Sequence, residues 1–263
     1  MAAPAHACAP AKASAAYSAR VDAALRSGTD VWGNELLAAP GGPTYARASR
    51  FLAPLLYARG PGGKPLTPSG VYYLAFGMPN GTRGAGTVAL HVADGGQILW
   101  RQTTGPALTV WAGPGERYGS CLARLEPARL AQGWLPVLET GYRTASGVHE
   151  HEESFAARTR NGGLASYVHL SASRPTLLRV TTGAGTTSAS GRSLYVRWNG
   201  RGRAQAVSAA AYDAARSGVV RFWRGELSAG ASIFVPETRV EDALRAVLVQ
   251  DLVLTWRYSV GNP

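Results

Sequence analysis

Residues 136–171, PVLETGYRTASGVHEHEESFAARTRNGGLASYVHLS, contain the pattern that decides the fold. Three short runs, at 136–143, 148–157 and 165–171, are separated by segments that hold Ser-Gly and Asn-Gly-Gly turns. Short runs between Gly- and Asn-containing turns are typical of antiparallel strands joined as hairpins. This stretch therefore predicts three consecutive β-strands.

The alternation of short strands and turns extends in both directions from this stretch. From residue 70 onward, candidate strands recur at roughly 8 to 12 residues, and 219–224 is one of them. The Thr-, Ser- and Gly-rich segment 181–193 predicts an exposed loop. About a dozen strands without intervening helices predict an all-β fold, a large two-sheet antiparallel β-sandwich. The predicted organisation is a flexible N-terminal arm with a short helix (1–30), the β-sandwich (31–235) and a C-terminal linker helix (236–263).

The composition agrees with a folded, turn-rich chain. Of 263 residues, 46% are hydrophobic and only 16% are charged, with 32 Gly and 16 Pro. The hydrophobic content excludes a disordered chain, and the Gly and Pro content disfavours a helical bundle. No apolar run approaches the ~20 residues that span a bilayer.

The net charge of +11 does not indicate a nucleic-acid partner. Only Lys12 and Lys64 are lysines, and an excess of Arg beside abundant Ala and Gly is typical of a GC-rich genome. The arginines are spread from Arg20 to Arg257, with no run denser than Arg-Gly-Arg at 201–203. A nucleic-acid interface would concentrate this charge on one face or in one run.

The C-terminal segment 239–260, RVEDALRAVLVQDLVLTWRYSV, predicts a helix that is buried on two sides. Its second half is apolar around nearly the whole circumference, which a helix covered on one face does not need. The sandwich covers one side, and we expect a partner to cover the other, the alternative being a terminal helix that lies across a sheet edge. The predicted docking residues are Val249, Leu252, Val253, Trp256 and Tyr258.

One strand holds the best local candidate for a metal site. Side chains alternate along a strand, so His149, His151 and Glu153 share one face, and a His-x-His pair with a carboxylate can hold Zn²⁺. The alternative is a solvated strand face on which acids and imidazoles neutralise one another. We expect no cofactor.

The aromatic residues and the cysteines each leave two interpretations open. Sugar rings stack on exposed aromatic faces, but large aromatics in a sandwich are more often core residues. The tryptophans in or beside predicted strands are Trp100, Trp111, Trp134, Trp198 and Trp223. Cys8 and Cys121 either form one disulfide in an exported protein or stay as two unpaired thiols.

Three stretches, at 28–56, 138–158 and 239–262, together resemble the N-terminal β-sandwich region of bacterial, mostly actinobacterial, six-hairpin glycosidase-like proteins. The ESFAAR strand (153–158) and the LTWRYSVGN segment (254–262) are the more specific parts. The resemblance implies a super-sandwich type of domain that precedes an (α/α)6 barrel. In such families the catalytic carboxylates lie in the barrel, so no catalytic residue is assigned to this chain.

The resulting prediction is a non-catalytic β-sandwich domain of a secreted glycoside hydrolase, packed against a helical barrel of the same polypeptide. The N-terminal segment 1–17 is Ala- and Pro-rich without the basic and apolar regions of an intact signal peptide, and it suits the start of a mature secreted protein. The alternatives are an autonomous carbohydrate-binding module and a small metalloenzyme that uses His149, His151 and Glu153.

Overall fold

The computed structural model describes residues 73–79, 88–100, 105–121, 124–230, 234 and 236–255, with a few isolated positions between 19 and 40. The chain divides into two compact units, one of His6–Tyr72 and the other of Tyr73–Pro263 with Met1–Ala5. All elements named below belong to the second unit. The predicted arm at 1–30 and the start of the predicted β region lie largely outside the described residues.

Eleven strands and two helices account for the described part of the second unit. The strands are β1 (Tyr73–Gly77), β2 (Val88–Val92), β3 (Gln97–Trp100), β4 (Ala107–Ala112), β5 (Glu116–Arg117), β6 (Arg129–Leu130), β7 (Val137–Arg143), β8 (His149–Arg158), β9 (Leu164–Thr182), β10 (Gly185–Trp198) and β11 (Gln205–Ala206). The helices are α1 (Ala209–Ser228) and α2 (Thr238–Thr255), and a short 3₁₀ turn covers Ala131–Gly133. The three strands predicted from 136–171 are confirmed as β7, β8 and the first part of β9.

The long strand β9 determines the sheet topology. On one edge, its first half pairs with β8 and its last residues, 179–182, pair with β4. On its other edge it pairs along its length with β10. Because β9 has two successive neighbours on one edge, the strands form one antiparallel sheet in the order β1-β2-β3-β4-β9-β8-β7-β6. The sheet curls so that β1 and β2 contact β8.

The structure confirms two predictions: the architecture is antiparallel and mostly β, and a helix lies in the predicted C-terminal segment. All eleven described strands belong to one hydrogen-bonded sheet, so two separate stacked sheets are not seen in this part of the chain. The segment 181–193, predicted as a loop, lies mainly in the β9–β10 hairpin, which turns at 183–184. Its alternating Thr and Ser residues suit exposed strands, because β-branched and small hydroxyl side chains fit a pleated surface.

The sheet has two buried faces. We call inner the face whose side chains meet across the curl, as His91 of β2 meets Ser154 of β8 and Ser166 of β9. Its apolar core includes Phe76, Ile98, Leu108, Leu138, Val168 and Leu178. The outer face is covered by α1 and α2, and its core includes Phe155, Tyr167, Tyr212, Val219, Trp223 and Val249.

Helix α1 replaces the strand predicted at 219–224. The Ser208 hydroxyl accepts a hydrogen bond from the Ala211 N–H (3.2 Å) and caps the helix at its start. Tyr212, Val219 and Trp223 are its buried residues, and their spacing places them on one side of a helix. The Val219-Val220 pair favours a strand locally, but packing of this apolar side on the sheet overrides that preference.

Neither α1 nor α2 combines the length and apolarity that a membrane-spanning helix needs, and this finding covers the described residues only. Cys121 is buried and is in a disulfide bond. The interpretation of Cys121 as an unpaired thiol is therefore wrong. Cys8, the other cysteine of the sequence, lies outside the described residues.

Candidate functional site

Strand β8 presents its two sets of polar residues to opposite faces of the sheet. His149, His151 and Glu153 lie on the outer face, and Glu150 and Glu152 lie on the inner face. The alternative to a metal site was a solvated strand face on which acids and imidazoles neutralise one another. The inner face of β8 is not solvated. Glu150 is 0% exposed and Glu152 is 1% exposed, so two acids lie in the interior of the curled sheet.

Two of the three candidate metal ligands, His149 and Glu153, are engaged by different partners. The His149 Nε2 atom lies 2.8 Å from a carboxylate oxygen of Glu126. Both Glu153 carboxylate oxygens lie 2.9 Å from the Arg216 Nε atom, so this carboxylate is held by an arginine. Among the residues that the structure describes, no three His, Cys, Asp or Glu side chains are grouped so that they could hold a metal ion.

Glu153 anchors α1 to the sheet. The Tyr212 hydroxyl donates to the Glu153 carbonyl (3.0 Å) and to its carboxylate (2.9 Å). Burial, followed by the charge of Glu153, raises the pKa of Tyr212 and keeps the phenol protonated. The Tyr212 ring packs against Phe155 and Tyr195, at 5.1 and 5.3 Å between ring centroids. The polar residues at this position therefore serve the helix–sheet contact.

The histidines beside this anchor, His151 and His169, are partly buried on the outer face. The His169 ring stacks on the Tyr195 ring with centroids 4.0 Å apart. Burial lowers the pKa of His169, and burial also lowers the pKa of His151. The register pairs His169 with Glu153, which places the acid and the imidazole on neighbouring strands.

The acids on the inner face are unusual for a sheet interior. The Glu150 Oε1 atom accepts a hydrogen bond from the Gly113 N–H (3.2 Å), and its Oε2 atom has no partner among the described residues. Burial raises the pKa of Glu150 to about 7. Burial also raises the pKa of Glu152 well above its ordinary value. Its carboxylate lies against Gly95, where the Cβ atom of any other residue would collide with it.

A buried histidine ties distant strands together on the same face. His91 is 0% exposed, and its Nδ1 and Nε2 atoms lie 3.0 Å and 3.2 Å from the hydroxyls of Ser154 and Ser166. Burial lowers the pKa of His91 to about 3, so the ring is neutral, with one nitrogen donating and the other accepting. These hydrogen bonds cross the interior from β2 to β8 and β9.

The tryptophans do not form an exposed stacking platform in the described part of the chain. Trp100, Trp134, Trp198 and Trp223 are each exposed by 8% or less. Trp111 is half-buried, and the Arg179 guanidinium carbon lies 4.8 Å from its ring centroid. The interpretation of these residues as core and packing residues is therefore confirmed for these positions.

Helix α2 is apolar on two sides, as the sequence indicated. The side that was predicted to dock a partner packs on the sheet, and the opposite side is exposed. Val249 and Val253 are each 1% exposed and pack in the outer-face core, and Leu252 packs partly buried against the same core. These three predicted docking residues therefore face this chain's own sheet, while Trp256 and Tyr258 lie outside the described residues. The exposed large apolar residues of α2 are Val240 (46%), Val247 (55%), Leu248 (40%) and Leu254 (37%). We call these four residues the exposed stripe.

A polar cavity of about 530 Å³ lies at one end of the long hairpin, and no metal-ligating or docking residue predicted from the sequence lines it. It is bordered by the β8–β9 turn and by the segment that leads from β10 to β11. Its lining residues are Thr159, Asn161, Arg197, Trp198, Asn199, Arg201, Gly202, Arg203 and Gln205. The only sequence signal was the Arg-Gly-Arg run at 201–203, which was interpreted as part of a general arginine excess.

The described part of the chain is thus a curled antiparallel β domain with two helices on its outer face. No family model matches the sequence, and neither a curated protein nor a solved structure was found to be similar to it.

Proposed function

We propose that this chain is a non-catalytic β domain of a secreted glycoside hydrolase, and that α2 holds it against an (α/α)6 catalytic barrel of the same polypeptide. The observation that carries the proposal is the exposed stripe on the side of α2 that faces away from the sheet. Apolar residues that are contiguous on a surface mark an interaction site, whereas single exposed ones do not.

The spacing of the stripe favours a helical partner. Val240, Val247 and Leu254 are seven residues apart, and Leu248 lies beside the middle one. Seven residues is the interval at which a helix repeatedly presents a side chain to a second helix packed along it. At a rise of 1.5 Å per residue, the row from Val240 to Leu254 is about 21 Å long.

The proposed export and the proposed substrate class have separate grounds. The disulfide of Cys121 favours an exported protein, because disulfides persist in oxidising compartments and are rare in the cytosol. The resemblance of residues 138–158 and 239–262 to the β region of six-hairpin glycosidase-like proteins supplies the substrate class. In this proposal the curled sheet is the counterpart of the two-sheet super-sandwich of those proteins.

The first test asks whether the stripe is an interaction surface. Sedimentation and binding of a hydrophobic dye would be measured on the isolated chain and on the double variant Val247→Glu/Leu254→Glu. We expect the unmodified chain to associate and bind the dye, and the variant to do neither. The matched control is Ala214→Glu/Ser217→Glu, which places the same charges at exposed positions of α1. A monomeric chain without dye binding would refute a docking role for α2.

The second test asks whether the partner is part of the same polypeptide. An antibody against this chain would be used on culture fluid and cells of the source organism. We expect a secreted species much heavier than the 27.6 kDa of this chain, with hydrolase activity on polysaccharides that co-purifies with it. A species of 27.6 kDa alone would refute the barrel, and the autonomous carbohydrate-binding module would then be the better hypothesis.

A further inference from the structure

The arginine-lined cavity has a chemistry that the docking proposal does not use. Arg197, Arg201 and Arg203 contribute three guanidinium groups, and no Asp or Glu is among the lining residues. The other polar groups are the amides of Asn161, Asn199 and Gln205 and the hydroxyl of Thr159. The cavity therefore presents mainly hydrogen-bond donors to whatever occupies it.

The segment that carries these arginines is held in place by its own hydrogen bonds. The Trp198 indole N–H and the Thr182 hydroxyl both donate to the Gly202 carbonyl, at 3.2 Å and 3.0 Å. The Arg201 N–H donates to the Asn199 side chain (3.2 Å). Gly200, with a φ of +81°, lies so close to the Trp100 ring that a side chain could not be accommodated there. The arginine backbone positions are therefore set before any ligand binds.

The charges of the three arginines are not neutralised by the described acids. The ion pairs of the described residues use Arg117, Arg124, Arg129, Arg216 and Arg245. The cavity arginines are not in these pairs, and the Arg197 guanidinium donates instead to the neutral Gln205 side chain (2.7 Å). Like charges around one cavity repel one another, and an anion bound between them offsets this repulsion.

The shape and the polar groups define the class of anion. A guanidinium donates paired hydrogen bonds to two oxygens of a planar carboxylate or of a tetrahedral sulfate or phosphate. The amides and the Thr159 hydroxyl suit the hydroxyl groups of a sugar. Trp198 is 2% exposed, so the cavity offers no free aromatic face for a nucleobase. A volume of about 530 Å³ is within the range of small-molecule sites.

We infer that this cavity binds a small, hydroxyl-rich anion, a sugar that carries a carboxylate, sulfate or phosphate group. The inference does not depend on the docking of α2, and it assigns a ligand-binding role to the β domain itself.

Isothermal titration calorimetry of the full chain tests the inference. The probes are glucuronic acid, N-acetylglucosamine 6-sulfate and glucose 6-phosphate. Glucose and N-acetylglucosamine are the neutral counterparts, and sodium acetate, sodium sulfate and sodium phosphate are the simple anions. We expect at least one acidic sugar to bind at least tenfold more tightly than its neutral counterpart and than the simple anion. This affinity should fall as the salt concentration rises, because the arginines and the bound anion are partly exposed to solvent and salt screens their attraction. The three acidic probes distinguish carboxylate, sulfate and phosphate.

The variants Arg201→Gln and Arg203→Gln should each weaken that binding by about tenfold or more, the value of one charge-assisted hydrogen bond. Arg192→Gln and Arg221→Gln are matched controls, since both arginines are exposed and neither lines the cavity. The inference is overturned if neutral and acidic sugars bind equally, if only the simple anions bind, if no probe binds at millimolar concentration, or if the control variants weaken binding as much as the cavity variants. The docking variant Val247→Glu/Leu254→Glu should bind the sugar normally, so failure of either proposal is recognised separately.

Discussion

Replacement of the buried Glu150 by Gln should change how the stability of this protein depends on pH. Glu150 is 0% exposed on the inner face of β8. Burial raises its pKa from 4.5 to about 7, the Gly113 hydrogen bond opposes this, and the nearby Glu116 adds to it. In the unfolded chain the carboxyl returns to its ordinary pKa and loses its proton at a lower pH than in the folded protein.

The sign and the size of the effect follow from this difference. An acid whose pKa is higher in the folded state destabilises the fold once the pH exceeds its unfolded pKa, and the loss is complete above its folded pKa. Stability should therefore fall between about pH 4.5 and pH 7 and not change further through Glu150 at higher pH. At 1.36 kcal/mol per pKa unit, the contribution is at most about 3 kcal/mol.

Urea unfolding followed by tryptophan fluorescence at several pH values between 4.5 and 8 measures this contribution. Glu150→Gln removes the titration, so its stability relative to the unmodified protein should rise by about 2–3 kcal/mol between pH 4.5 and pH 8. Glu152 is present in both proteins, so its contribution to the pH dependence of the unfolding free energy cancels in the comparison. The control Glu226→Gln, at an exposed position of α1, should show no such rise. Parallel stability profiles for Glu150→Gln and the unmodified protein across this range would refute the reasoning.

Three further substitutions test the contacts that build the domain, each by urea or thermal unfolding. Trp223→Ala should cost about 3–5 kcal/mol, because Trp223 is 0% exposed between α1 and the sheet; a loss below about 1 kcal/mol would contradict this packing. Tyr212→Phe should cost about 1–2 kcal/mol through the lost hydrogen bonds to Glu153, and an unchanged midpoint would argue against the anchor. Gly200→Ala should cost about 2 kcal/mol or more, since it combines a positive φ with a collision on the Trp100 ring. If Gly200→Ala is neutral, the turn that carries the cavity arginines is not held as described.

Local signals in the sequence were sufficient for the central hairpins and for the last helix. The strands β7 and β8 begin and end near the predicted residues, and β9 begins near its predicted start, because Gly- and Asn-containing turns separate the three strands. Strand β9 continues to Thr182, well past the predicted end at 171, through its pairing with β10 and β4. Helix α2 begins at Thr238, near the start of the predicted 236–263 segment, because its apolar residues recur at a helical interval. These are properties of neighbouring residues and need no knowledge of the rest of the fold.

Other features depend on contacts between distant residues. The run Val219–Val220 has the local preference of a strand, and only the burial of Tyr212, Val219 and Trp223 on the sheet makes it helical. The segment 181–193 has the composition of a loop, and its pairing with β9 makes it a strand. In both cases the energy gained by packing or pairing exceeds the local preference, which amounts to fractions of a kcal/mol per residue.

The sequence by itself determined that the strands are antiparallel, that the segment 236–263 contains a helix apolar on two sides, and that Glu150 and Glu152 lie on the face of β8 opposite to His149, His151 and Glu153. It did not determine which face of β8 is interior, since an alternating pattern is the same whichever side is covered. Only the curl of the sheet placed Glu150 and Glu152 inside, and only the packing of α2 left Val247 rather than Val253 exposed. The cavity joins Asn161 of the β8–β9 turn with Arg197 at the end of β10 and with Arg201 and Arg203 of the segment that follows β10. Residues so far apart in the chain meet only when the tertiary structure brings these segments together.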